Sequence, residues 1–131
     1  MKAEIEQRVT KLYYFQEVMR LSYSDAVEAY EAFGKHDEST MYGIALGYLA
    51  MAQQSHLELK RIYWESDLSH YEIESYFTAF EDYAFQFKQV ITEKDRNISW
   101  LVGTREKLIE CWKSTDEFIR NWINDNIPKR S

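Results

Sequence analysis

The stretch from Leu68 to Ile91 constrains the fold of this chain more than any other segment. Ser69 stands where the N-cap of a helix belongs, and Glu72 three positions later can bond back to it as a capping box. Apolar residues then follow at spacings of one and three, which fit a period near 3.6: Tyr76, Phe77, Phe80, Tyr83, Ala84, Phe87, Val90 and Ile91. The segment is therefore predicted to form a long amphipathic helix.

Glycine and proline are scarce, with four and one in 131 residues, which disfavours a turn-rich β fold and favours long helices. Helical spacing of apolar residues recurs along the chain, and the four predicted helices cover about 3–33, 40–65, 69–94 and 98–126. Short polar connections predict an all-α fold, an antiparallel up-down-up-down four-helix bundle built by one domain of residues 1–131. A kink near Ser22–Ser24 stays open within a single first helix.

Composition narrows the function classes. The net charge of −6 argues against direct nucleic-acid binding, because that affinity depends on lysine and arginine neutralising phosphates. The longest run without charged side chains, Ser39–Leu57, is too polar at its ends to span a bilayer. The first residues lack the apolar core of a secretory signal, and the single cysteine, Cys111, agrees with a reducing compartment. We expect a cytoplasmic protein with no membrane contact.

Few residues have a pattern that supports catalysis or metal binding. There is no Glu-x-x-His pair of the di-iron bundles, and His70 with Glu74 is more typical of a helix surface than of a metal site. Cys111 has no histidine within two turns, and the adjacent acids Asp116 and Glu117 are interpreted as part of a solvated face. We expect no catalytic, cofactor-binding or metal-binding residues, and a protein that is not an enzyme.

The region from Ile62 to Phe87 contains no lysine or arginine but many acids and tyrosines. Acids on a rigid helix can speed association with a basic protein, and aromatic rings can supply binding energy. An ordinary solvated face is the alternative. The predicted contact residues for a partner are Tyr71, Glu72, Glu74, Glu81 and Asp82.

The first helix has an apolar arc that is wider than one neighbouring helix covers, because Tyr14, Phe15, Val18 and Leu21 lie beside its main seam. Two explanations stay open. The first helix is more enclosed than its neighbours, or these four residues form an exposed patch that binds a partner or forms a homodimer. In the second helix, Gly43 and Gly47 lie one turn apart and are interpreted as a close approach of a neighbouring helix rather than a dimer motif.

The function expected from these patterns is that of a small acidic intracellular protein that binds another protein with a basic surface as its regulator or inhibitor. The specific hypothesis is an immunity-type protein, or a counter-defence protein of bacterial, phage or mobile-element origin, which rests on analogy with small acidic helical inhibitors. The alternative is a self-associating structural, assembly or adaptor bundle without an inhibitory role.

Overall fold

The computed structural model describes residues 2–35, 38–66, 70–93 and 98–126. Helices are the only regular elements in these ranges: α1 (Lys2–Lys35), α2 (Glu38–Trp64), α3 (Tyr71–Glu93) and α4 (Ser99–Asn126). They form a four-helix bundle, as predicted, and every predicted helix end lies within two residues of the observed one. None of the described helices combines the length and the apolar character needed to cross a membrane.

The start of α3 differs in detail from its prediction. Ser69, the predicted N-cap, lies outside the described residues. His70 occupies the cap position instead, because its Nδ1 accepts a hydrogen bond from the backbone N–H of Glu72 at 3.2 Å, and its carbonyl accepts one from Ile73 at 3.1 Å. The ring of His70 also stacks on Phe118 of α4, with ring centroids 3.8 Å apart, so the cap is anchored on the neighbouring helix.

Neighbouring helices run antiparallel. The Tyr14 hydroxyl donates to Glu58 and the Ser22 hydroxyl to the carbonyl of Ala52, so residues further along α1 meet residues earlier in α2. The same descending order relates α3 to α4, through His70 with Phe118 and Glu72 with Thr115. It also relates α1 to α4, through Gln16 with Asp116 and Glu31 with Arg105. α1 remains helical through Ser22–Ser24, as expected for a single first helix.

The apolar stripe that predicted α3 lies in the core. Of its eight residues, only Ile91 is partly exposed. The largest side chains that are almost completely buried come from all four helices: Tyr76, Tyr83, Phe15, Phe80, Phe87, Leu12, Met19, Leu49, Leu59, Ile73, Leu101 and Leu108. α1 packs most extensively against α2, and α3 packs against α4, whereas the contact between α2 and α3 is smaller and leaves a groove between them.

Buried hydroxyl groups connect the helices. Tyr83 of α3 donates to the carbonyl of Ala26 in α1 at 2.6 Å, and Thr115 of α4 donates to the carbonyl of Glu72 in α3 at 2.9 Å. Each bond satisfies a polar group that would otherwise be costly to bury. The two bonds also fix where the helix pairs meet along their length.

Candidate functional site

The outward face of α3 contains three of the predicted contact residues at the edge of a groove. Tyr71 is 70% exposed, and Glu74 and Asp82 are also exposed. The groove lies between α3 and α4 and has a volume of about 500 Å³. We call it the α3–α4 groove; its lining residues are Tyr71, Glu74, Ser75, Thr78, Ala79, Asp82, Lys107 and Cys111.

The acids of this groove have no charge partner in the part of the chain that the structure describes. Within the described residues, neither Glu74 nor Asp82 makes an ion pair, whereas Arg61 in α2 is bonded to two glutamates, Glu58 and Glu65. Lys107 is the single cation among the lining residues. Two free carboxylates against one ammonium group leave the groove with a net negative charge, and that charge is available to a cation from outside.

Glu72 does not line this groove but contacts Tyr71, which does. The residue is half-buried, and its carboxylate accepts a hydrogen bond from the Tyr71 hydroxyl at 3.3 Å. The Tyr71 ring also stacks against His70, with ring centroids 4.8 Å apart. Tyr71 is therefore exposed but held from two sides, which reduces the entropy it would lose on binding.

Glu81 belongs to a different part of the molecule than the other predicted acids. Its Oε2 lies 2.9 Å from Nε2 of His56 and 3.1 Å from Nζ of Lys60, both on α2. Desolvation raises the pKa of the Glu81 carboxyl, but the bonds from His56 and Lys60 lower this pKa by a larger amount. The net shift of the Glu81 pKa is therefore downward. Glu81 thus connects α3 to α2 and is not a free carboxylate like Glu74.

His56 is the residue that sequence reasoning missed. The residue is 4% exposed, and its ring stacks on Phe80 with centroids 4.1 Å apart and planes within 13° of parallel. Desolvation lowers the pKa of His56, and the bond to Glu81 offsets part of this shift. The spacing 52, 56, 59 and 63 along α2 was the available signal, because it places His56 on the same inward row as Ala52, Leu59 and Tyr63.

His56 forms the floor of a second groove of about 500 Å³, which separates α2 from α3. We call it the α2–α3 groove; its lining residues are Gln53, His56, Leu57, Lys60, Phe80, Glu81, Ala84, Phe85 and Lys88. The Nδ1 atom of His56 is buried without a hydrogen-bond partner among the described residues. Neither ring nitrogen therefore faces an open site, and the histidine acts as a packed and anchored core residue.

The thiol of Cys111 and the carboxylate of Asp116 are both buried. Cys111 lines the α3–α4 groove but is 9% exposed, and burial raises the pKa of its thiol. No group of three or more histidine, cysteine, aspartate or glutamate side chains within the described ranges is arranged to hold a metal ion. Asp116, interpreted from sequence as solvated, is buried and accepts hydrogen bonds from Gln16 and Arg120.

The predicted apolar patch on α1 does not exist as an exposed surface. Phe15 is fully buried and Val18 is 7% exposed, whereas Tyr14 and Leu21 are 51% and 43% exposed. The physical reason is that α1 packs on both α2 and α4, so its wide apolar arc is covered from two sides. The alternative of a more enclosed first helix is the one that agrees with the structure.

The glycines of α2 also differ from their prediction. A Cβ atom built on Gly43 or on Gly47 would meet no atom within 4 Å, and both residues are exposed. The interpretation as a close approach of a neighbouring helix of the same chain is therefore wrong. The glycines lie on the outer side of α2, where Leu46, Met51 and Leu57 are exposed as well.

Comparisons of the chain with protein-family models, with characterised proteins and with solved structures found no match.

Proposed function

We propose that this protein binds another protein through the α3–α4 groove and thereby regulates or inhibits it. The observation that carries the proposal is the position of Tyr71, an exposed and oriented ring, beside Glu74 and Asp82, two carboxylates without a charge partner among the described residues. An aromatic anchor next to free charges is the composition that protein interfaces favour.

The charge of the groove favours a basic partner. Glu74 and Asp82 lie eight residues apart on one helix, which corresponds to about 12 Å along its axis. Two carboxylates at that separation can pair with two lysine or arginine side chains of a partner, while Ser75 and Thr78 between them supply hydroxyl groups. Such charges mainly raise the association rate and specify the partner, whereas the Tyr71 ring supplies affinity when the partner covers it.

Inhibition by occlusion is the mechanism we favour. A rigid helical face that covers a basic site on its partner blocks access to that site without any chemical step. The burial of Cys111 and of His56 supports a role in binding rather than in catalysis. A cytoplasmic immunity-type or counter-defence protein, acting on a partner that itself binds nucleic acid, is the specific form of this proposal.

Charge-reversed bait proteins test the proposal in a pull-down from the native host, read by mass spectrometry. The wild-type chain is compared with the double variant Glu74→Lys/Asp82→Lys. The control is Glu28→Lys/Glu117→Lys, which changes the net charge equally at two exposed acids on α1 and α4. We expect one basic protein to be retained by the wild type and by the control, to be lost from the groove variant, and to be released in 0.5 M salt.

The opposite pattern would overturn the proposal. If the groove variant retains the same proteins as the wild type, the α3–α4 groove is not the contact surface. If the retained protein is acidic and its binding is insensitive to salt, the partner chemistry is wrong. Thermal unfolding of each bait confirms that the substitutions leave the fold intact.

A further inference from the structure

The outer side of α2 has an exposed surface without charge. There is no Asp, Glu, Lys or Arg between Ser39 and Leu57, a span of five helical turns. We call the exposed residues from Gly43 onward in this span the α2 outer row: Gly43, Leu46, Gly47, Ala50, Met51, Gln54 and Leu57. The three large apolar members, Leu46, Met51 and Leu57, are 46%, 49% and 68% exposed.

The other helices place charges on their exposed sides. The exposed residues of α1 include Glu17, Arg20 and Glu28, and those of α4 include Glu106, Lys107, Glu110 and Lys113. A neutral apolar row is therefore unusual on a chain with a net charge of −6. Water contact at Leu46, Met51 and Leu57 is unfavourable at about 25 cal/mol for each Å² of apolar surface.

The glycines in the row are not explained by packing within one chain. A glycine inside a helix costs about 1 kcal/mol relative to alanine. Alanine would fit at Gly43 and at Gly47, because a Cβ atom there would meet nothing within 4 Å. Their lack of a side chain leaves two depressions on the outer surface of α2, next to the projecting side chain of Leu46.

We infer that a second copy of this chain covers the α2 outer row, with the two α2 helices antiparallel about a two-fold axis near Ala50. An axis at position 50 places residue i opposite residue 100 − i of the other copy. Leu57, the most exposed apolar member of the row, then lies opposite the open space at Gly43 of the second copy, and Leu46 lies opposite Gln54. The Leu57 side chain of each copy therefore meets the open space at Gly43 of the other copy.

Charge selects a second copy over the basic partner proposed for the α3–α4 groove. A basic protein would find no carboxylate on the row to pair with. Two acidic chains repel each other over most of their surfaces, and the row offers an area where they can touch without bringing like charges together. An interface related by a two-fold axis must use the same patch on both copies, which this row can do.

The area of the α2 outer row indicates how strongly two copies can associate. Gly43 to Leu57 spans fourteen residues, or about 21 Å of helix, and one helix is about 10 Å wide. The footprint, on the order of 200 Å², is far below the roughly 800 Å² per partner of a standard stable interface. The dimer should therefore be weak and depend on protein concentration.

Sedimentation equilibrium of the purified chain from about 1 µM to 1 mM tests the inference. The average mass of the wild type is expected to rise from 15.8 kDa toward twice that value. Leu57→Glu and Gly43→Gln should each weaken association at least tenfold, the first by placing charge on the row and the second by filling the depression. The control is Leu21→Glu, the same change at an exposed leucine on α1, which should associate like the wild type.

The Gly43→Gln variant separates a lost interface from a lost fold. Since open space surrounds Gly43 and glutamine favours helix more than glycine does, this monomer should be at least as stable in thermal unfolding as the wild type. A wild type that stays at 15.8 kDa throughout, or α2 variants that associate unchanged, would overturn the inference. Loss of association only in Leu21→Glu would assign the contact to α1 and overturn it as well.

This inference does not depend on the function proposed for the α3–α4 groove. Leu57→Glu leaves Glu74 and Asp82 in place, so the variant should still capture the basic partner. Glu74→Lys/Asp82→Lys should lose that partner and still form the dimer.

Discussion

Nε2 of His56 lies 2.9 Å from Oε2 of Glu81, which ties a buried ring on α2 to a carboxylate on the outer edge of α3. This contact divides the acids of α3 by role. Glu81 is held by α2, while Glu74 and Asp82 stay without an ion-pair partner among the described residues. The acids of α3 therefore have two separate roles in the structure. Glu81 joins α3 to α2, and Glu74 and Asp82 are exposed on the outer face of α3.

The burial of His56 makes stability depend on pH. Desolvation holds its folded-state pKa below the ordinary value of 6.5, although Glu81 raises it in part and the Lys60 ammonium lowers it. Well above pH 6.5 the ring is neutral in both the folded and the unfolded state. As pH falls below 6.5 the unfolded chain binds a proton that the folded chain does not, so the free energy of unfolding decreases, by at most about 1.4 kcal/mol per pH unit, until the folded-state pKa is reached.

Urea unfolding of the wild type and of His56→Phe at several pH values between 8 and 5 measures this effect. Phenylalanine keeps the ring contact with Phe80 and cannot titrate. Below pH 6.5 the unfolding free energy of the wild type should decrease relative to that of His56→Phe. A constant difference across this range would show that His56 has an ordinary pKa in the folded protein.

The two roles of the α3 acids predict different effects of the same substitution. Glu81→Ala removes the acceptor of His56 and Lys60 and should lower the free energy of unfolding by about 1 kcal/mol at pH 7. Glu74→Ala, at an exposed position of the same helix, should change it by less than about 0.5 kcal/mol. Urea unfolding at pH 7 provides both values, and equal effects would mean that the bond to His56 adds nothing to stability.

The sequence predicted the helices because local and tertiary signals agree. The α3 stripe has one period along its whole length, and one side of a helix that is buried in a bundle must have that period. Spacing alone does not reveal how many neighbours cover a face, which is why Phe15 could be interpreted as exposed. The His56–Glu81 contact depends on the register of α2 against α3, and no residue pattern in either helix encodes that register.

Burial on α1 predicts a sharp contrast between two adjacent aromatic residues. Phe15→Ala should lower the free energy of unfolding by about 3–5 kcal/mol, because it removes a fully buried ring and leaves a cavity. Tyr14→Ala removes a ring that is 51% exposed and should have a much smaller effect. Thermal or urea unfolding compares the two variants directly. A small effect of Phe15→Ala would show that the Phe15 ring is not buried in solution.

Two buried tyrosines of α3, Tyr83 and Tyr76, allow the contribution of a hydroxyl group to the free energy of unfolding to be measured. The same Tyr→Phe substitution is made once with and once without a hydrogen-bond partner among the described residues. The Tyr83 hydroxyl donates to the Ala26 carbonyl at 2.6 Å, so Tyr83→Phe should lower the free energy of unfolding by about 0.5–1.5 kcal/mol. The Tyr76 hydroxyl is buried without a hydrogen-bond partner among the described residues, and its polar neighbour Ser22 donates to the Ala52 carbonyl.

Tyr76→Phe should therefore leave stability unchanged or raise it, because it removes a buried polar group that has no partner among the described residues. Both variants keep their rings and differ from the wild type by one oxygen atom, so packing is matched. Urea unfolding of the two variants at pH 7 separates the cases. A loss at Tyr76→Phe as large as that at Tyr83→Phe would show that the Tyr76 hydroxyl is hydrogen-bonded in solution, by a water molecule or by a shift toward Ser22.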